Sequence, residues 1–161
     1  MRHSARIVCA LLIATAGVWA GAAQATGWGP RVGATIDPDQ VHVGLHADFG
    51  DVIAERVRFL PNFELGFGDD LTLAALNFEA AYRFRENWDV WSPYAGGGLG
   101  LNWYSWDNDF PGHDNSDMDV GLNLLGGIEK GTRSGNRFFL ELKLGLADSP
   151  DMKVTVGWTF Y

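Results

Sequence analysis

From Val41 to Phe49 the chain reads Val-His-Val-Gly-Leu-His-Ala-Asp-Phe, apolar on every odd position and polar or tiny on every even one. A period of two is the mark of a strand with one apolar and one polar face. The pattern returns down the chain and predicts eight strands: Arg31 to Ile36, Val41 to Phe49, Arg56 to Phe67, Leu71 to Phe84, Val90 to Tyr104, Met118 to Glu129, Arg137 to Leu146 and Lys153 to Phe160. Turn chemistry separates them. Asp37-Pro38-Asp39-Gln40, Gly68-Asp69-Asp70 and Asp148-Ser149-Pro150-Asp151 are tight, Gly131 to Asn136 is a softer hairpin, and Asp107 to Asp117 is the longest connection. Strands joined by short turns pair antiparallel, which gives an up-and-down meander.

Sorting the residues by face separates them sharply. One face carries Val32, Val43, Phe63, Phe78, Leu101, Leu122, Leu142 and Trp158 with their like neighbours, and no charge interrupts it. The other carries Arg31, His42, His46, Asp48, Asn62, Asn77, Asn102, Asn123, further charged residues and many glycines. A soluble barrel would bury the apolar face inside, and a membrane barrel turns it out to lipid. The apolar set is too aromatic and too continuous for one small core, and strands of about ten residues match a tilted membrane crossing. The expected fold class is therefore all-β, an eight-stranded antiparallel up-and-down transmembrane barrel.

The start of the chain adds a destination. Arg2, His3 and Arg6 precede an apolar run from Ile7 to Ala20, and Ala23-Gln24-Ala25 follows. A basic start, a short apolar core and an A-x-A site predict a secretory signal peptide over residues 1–25, with the barrel domain over 26–161. The one cysteine, Cys9, falls inside that signal, so the mature barrel is expected to stand without disulfides. The formal net charge is −8, and leaving out Arg2 and Arg6 makes the remainder more acidic still. That excludes nucleic acid as a partner and argues against simple electrostatic attachment to anionic lipid.

Aromatic residues gather where the strands end. With both chain ends on one side, Trp28, Phe49, Phe84, Trp88, Trp91, Phe138, Trp158 and Phe160 fall at one rim, and Phe67, Trp103 and Trp106 at the other. Girdles of this kind belong where rings meet lipid headgroups. The mature chain resembles the small eight-stranded outer-membrane barrels of the OmpA/OmpX type, porin-like in shape. The resemblance rests on the signal peptide, on Pro93-Tyr94-Ala95-Gly96-Gly97-Gly98-Leu99-Gly100-Leu101 and on the ending Val154-Thr155-Val156-Gly157-Trp158-Thr159-Phe160-Tyr161. It implies the cell outer membrane as location and a last strand whose terminal aromatic is read by the barrel-assembly machinery. Here the outward set ends at Phe160, and Tyr161 stands one step past it.

Four groups could carry chemistry. Arg56, Arg58, Glu64, Glu79, Arg83, Glu129, Glu141 and Lys143 are expected to point inward and pair, because an eight-stranded interior is filled by side chains and unpaired charge there is costly. His42 and His46 share a face but stand roughly 13 Å apart at strand rise, too far for one metal, and read as satisfied interior histidines. The predicted outer turns hold aspartates without Lys or Arg. Within them Asp107, Asp109, Asp114 and Asp117 are the candidates for Ca²⁺ or Mg²⁺, ions that could bridge to lipopolysaccharide phosphates. Asp is also a good turn former, so solvated loops and no cofactor are the plainer expectation. His113 and Ser116 form the one close His/Ser pairing, without a G-x-S-x-G turn.

The function expected is a non-enzymatic envelope barrel with a closed or very narrow polar interior. Its role would be structural or one of surface interaction. Its partners would be outer-membrane lipid, lipopolysaccharide and the assembly machinery, and it would be a monomer. The alternatives are a lipid-modifying hydrolase and a narrow channel for small solutes.

Overall fold

The computed structural model describes residues 26–69, 71–106 and 116–161. The predicted signal peptide, and with it Cys9, lies outside the described residues. The strands are β1 Gly27–Ile36, β2 Gln40–Asp48, β3 Val57–Phe59, β4 Asn62–Phe67, β5 Leu71–Arg83, β6 Ser92–Trp106, β7 Ser116–Gly131, β8 Arg137–Ala147 and β9 Met152–Thr159. Each pairs antiparallel with its neighbours, β5 pairs β6, and β1 pairs both β2 and β9, so the sheet closes on itself.

Nine segments make eight barrel strands, because β3 and β4 are two parts of one. Phe59 pairs with Ala80 and Asn62 with Asn77, so the register against β5 runs through the gap unchanged. Pro61 supplies no N–H, which interrupts the ladder without shifting it. The Pro61 carbonyl still accepts the Ala47 N–H at 2.9 Å.

The two faces separate as the alternation requires. Val41, Val43, Leu45, Phe63, Leu99, Leu122, Leu142 and Val154 are exposed on the outer wall, while Arg31, His42, Glu64, Glu79, Asn102 and Lys143 are buried inside. No helix among the described residues is long and apolar enough to cross a membrane, so any crossing is made by strands.

Curvature explains the inward glycines. A Cβ at Gly29 would strike the Trp158 carbonyl of β9, and one at Gly98 would meet the Phe78 carbonyl and Glu79 Cα of β5. On the concave side of so narrow a barrel, adjacent strands come too close for side chains at every position. Gly126, on the outer wall, has nothing within 4 Å of where its Cβ would stand.

The start of β1 and the end of β9 lie at one rim, here the terminal rim, with the loops 49–56, 84–91 and 132–136. The turns 37–39 and 148–151 lie at the opposite rim. Aromatic rings cluster at the terminal rim: Trp28 lies 5.9 Å from Phe160, Trp91 6.2 Å from Phe138, and Phe138 5.9 Å from Trp158. Tyr104 stacks on Trp106 at 6.0 Å on the other side.

Candidate functional site

The lumen is built in layers, each set by the step of two along the strands. Counting in from the terminal rim, β8 contributes Arg137, Phe139, Glu141 and Lys143, and β5 contributes Arg83, Ala81, Glu79 and Asn77. An outer ionic layer, an apolar layer, an inner ionic layer and an amide layer follow one another.

In the outer layer Arg58 forks between two carboxylates, Nη1 to Asp48 Oδ2 at 2.7 Å and Nη2 to Glu129 Oε2 at 2.9 Å. Arg83 reaches Glu129 at 3.0 Å, and Arg137 stands 3.7 Å from Asp48 and 3.8 Å from Glu129. Three cations thus face two carboxylates. Tyr161, the last residue, turns inward over this layer. Its hydroxyl donates to Asp48 Oδ2 at 2.6 Å and accepts from Arg137 Nη1 at 2.9 Å. Burial, then the Asp48 carboxylate, push the Tyr161 phenol well above the ordinary tyrosine range, so it remains a donor.

Below it Ala81, Tyr94, Leu125 and Phe139 form a buried apolar cluster with Leu60 against it. Arg58 lies 5.5 Å from the Tyr94 ring and Arg31 5.7 Å from Phe139, one cation on each side of the cluster.

The inner layer balances. Arg31 bridges Glu64 at 3.1 Å and Glu141 at 2.6 Å. Lys153 meets Glu64 at 2.8 Å, and Lys143 meets Glu79 at 2.5 Å and Glu64 at 3.7 Å. Three cations face three carboxylates, and neutral donors take the remaining lone pairs: Tyr94 Oη to Glu141 at 3.0 Å and Asn62 Nδ2 to Glu79 at 2.7 Å. Buried charges of this kind are tolerated only when paired and hydrogen-bonded.

The histidines sit in the same wall and are held by threonines. His42 Nδ1 lies 3.0 Å from Thr35 Oγ1 and Nε2 2.9 Å from Thr155 Oγ1, and His46 Nε2 lies 2.8 Å from Thr159 Oγ1.

Both mouths are covered by the chain itself. Tyr161 folds in at the terminal rim. At the other, the turn 148–151 folds inward: Pro150 is buried, and Asn102 Nδ2 donates to the Asp148 carbonyl at 2.9 Å. Between the outer ionic and apolar layers a cavity of about 20 Å³ remains, lined by His46, Arg58, Leu60 and Glu129 among others. That is room for a single water.

The structure brings Arg58, Glu64, Glu79, Arg83, Glu129, Glu141 and Lys143 into these two ionic layers and leaves Arg56 out. Arg56 precedes β3 with φ at +66°, and its Nε lies 4.0 Å from Glu55 in the loop. A left-handed residue resets the chain direction, so the alternation that puts Arg58 inside does not extend back to it. Alternation alone does place Arg31, Asp48 and Lys153 inside, and with Arg137 these bring the two layers to six cations and five carboxylates. Tyr94 and Tyr161 were legible as inward positions, but not as hydrogen-bond partners of carboxylates.

Asp107, Asp109, Asp114 and His113 lie outside the described residues. Asp117 is exposed on β7, and its carboxylate accepts the Met118 N–H at 2.8 Å. Among the described residues, no group of three or more His, Cys, Asp or Glu side chains is placed to hold a metal ion.

No protein-family model and no curated protein sequence matches the chain. Solved structures do. The chain is similar to Neisserial surface protein A at 15% identity, covering 83% of this chain and 94% of that one with a TM-score of 0.63. It is similar to the N-terminal β-barrel domain of Pseudomonas aeruginosa OprF at 14%, covering 84% and 96% with a TM-score of 0.59. The outer membrane enzyme PagL gives 12%, 85% and 99%, and 0.51. The chain thus has the fold of the small eight-stranded outer-membrane barrels. One of the three is an enzyme, so the shared fold does not choose between catalytic and non-catalytic roles.

Proposed function

We propose that this is a non-enzymatic barrel of the cell outer membrane whose interior is a brace and not a passage. Its role is structural support or surface interaction. It is surrounded by outer-membrane lipid and lipopolysaccharide, delivered by the barrel-assembly machinery through its C-terminal strand, and acts as a monomer without a cofactor. The observation that supports this reading is the closure of the lumen at both mouths by Tyr161 and the turn 148–151, with two layers of ion pairs between them, the inner one balanced. A charged solute crossing the inner layer would have to break pairs that cost several kcal/mol each to open. The test is conductance of the purified barrel in planar lipid bilayers. Silence is expected, and stepwise ion currents from the native chain would refute the brace.

A lipid-modifying hydrolase is the second reading, and the likeness to PagL is the finding in its favour. Against it, His42 and His46 are buried in the lumen on threonines, out of reach of a lipid ester. Incubation with radiolabelled lipopolysaccharide or phospholipid should release no fatty acid.

A further inference from the structure

The outer wall is not uniformly smooth. Between β6, β7, β8 and the loop 84–91 lies a groove of about 560 Å³, lined by Phe84, Trp88, Ile128, Leu140 and Leu142, with Gly126 at its floor and Glu86 at its edge. The volume is that of a ligand pocket. The loop that forms its side wall is built, not slack. Trp88 and Trp91 exchange backbone hydrogen bonds of 2.8 and 3.0 Å, the Phe84 N–H reaches the Pro93 carbonyl at 3.1 Å, and Ser92 Oγ donates to Asn87 Oδ1 at 2.9 Å. Asp89, with φ at +57°, makes the turn. The loop therefore stands as a flap against the wall. Because a Cβ at Gly126 would meet nothing within 4 Å, the space beneath is open.

Depth and charge say what fits there. Leu142 lies five residues in from Arg137, where β8 starts. At about 3.4 Å per residue and a tilt near 45°, the groove reaches ~12 Å below the terminal rim, close to the ~15 Å of hydrocarbon in one leaflet. Its mouth carries both signs of charge. Glu86 lines the edge. Lys130, two residues beyond Ile128 on the same outward face of β7, holds its Nζ 5.9 Å from the ring of Trp91, the hydrogen-bonded partner of Trp88.

We propose that this groove is a specific site for one acyl chain of an amine-bearing glycerophospholipid in the leaflet at the terminal rim. Lys130 takes the phosphate, and Glu86 takes the primary ammonium. The site rests on the membrane-barrel reading above. A smooth wall would hold lipids only in passing. A flap-walled groove with a carboxylate and an ammonium at its mouth selects a headgroup that carries both charges and can donate hydrogen bonds.

The test uses the native barrel reconstituted in vesicles of dioleoylphosphatidylethanolamine and dioleoylphosphatidylcholine, then extracted in mild detergent for native mass spectrometry. One retained phosphatidylethanolamine per barrel is expected. Gly126→Trp should lower that occupancy by about tenfold or more while heat-modifiable gel migration stays native, and Leu142→Trp is the second filling variant. Lys130→Glu should weaken retention without touching the fold. Equal retention of the two lipids, undiminished retention by both filling variants, or a dimer that the filling variants dissociate would overturn the site while leaving the barrel standing. A chain that stays out of the vesicles overturns the membrane reading and the site with it.

Discussion

Arg31 is the residue on which the inner ionic layer turns. It is buried, and it alone touches both Glu64 and Glu141, at 3.1 and 2.6 Å. Arg31→Met keeps much of the stem volume and removes the charge. Three carboxylates then face Lys143 and Lys153, and one negative charge in the lumen is left uncompensated. Removing one partner of a buried pair costs about 3–5 kcal/mol, because the surviving charge remains desolvated. Loss of the contact with the Phe139 ring adds about 0.5–1 kcal/mol. Glu64 keeps Lys153 at 2.8 Å, so the orphaned carboxylate is chiefly Glu141, whose other partner is the neutral Tyr94 hydroxyl at 3.0 Å.

The double variant Arg31→Met/Glu141→Gln restores neutrality and still offers Tyr94 an acceptor. Neutral replacement of a buried pair is often free of cost. The double variant should therefore recover to within about 1–2 kcal/mol of the native barrel, a coupling energy of about 2 kcal/mol or more. Urea unfolding from phospholipid vesicles, followed by tryptophan emission, measures this by linear extrapolation. Arg56→Met is the control, since Arg56 sits in a loop, and it should change stability by no more than about 0.5 kcal/mol. If Arg31→Met costs under about 1 kcal/mol, or if the two single losses simply add, the balanced-layer account is wrong.

Two further outcomes follow from the rims and the curvature. Tyr161→Phe removes hydrogen bonds to Asp48 and Arg137 and should cost about 1–2 kcal/mol. Its folded phenol lies above the unfolded value, so the native contribution holds below about pH 10 and fades as pH rises past it, and the stability gap between the two chains should close in strong alkali. Gly98→Val drives a side chain into the Phe78 carbonyl and should abolish folding, whereas Gly126→Val enters open space and should fold normally, as heat-modifiable gel migration will show.

Much of this was legible because a strand reads its two faces out directly. A period of two held over eight strands decides which side chains meet, and the register follows from short turns such as Asp37-Pro38-Asp39. Arg31, Glu64 and Lys143 could be placed inside with no structure at all. Their partners could not, because pairing depends on shear between strands far apart in sequence, as with Arg31 and Glu141. Arg56 was misread for a local reason, its left-handed backbone, which an arginine does not advertise. The inward fold of Pro150 was invisible for a related reason: a Pro-containing turn signals a reversal of the chain but not which way the turn leans.

Closure of the axis shifts the question of function to the surfaces, and these differ. Among the described residues, the opposite-rim turns carry Asp37, Asp39, Asp69, Asp148 and Asp151 with no Lys or Arg, while the terminal rim carries Arg85, Lys130 and Arg133 beside Asp51, Glu55, Glu86 and Asp89. A purely acidic rim is repelled by anionic headgroups, and a mixed rim can meet zwitterionic ones. The groove lies at the mixed rim, where Lys130 and Glu86 stand beside a flap held by its own hydrogen bonds. One physical device, alternation, thus accounts for an axis of paired charge and an apolar outer wall, and that wall carries a built recess at the terminal rim. If the proposed brace holds, selectivity in such a molecule has to be sought in which lipids or surfaces it holds, and not in what it lets through.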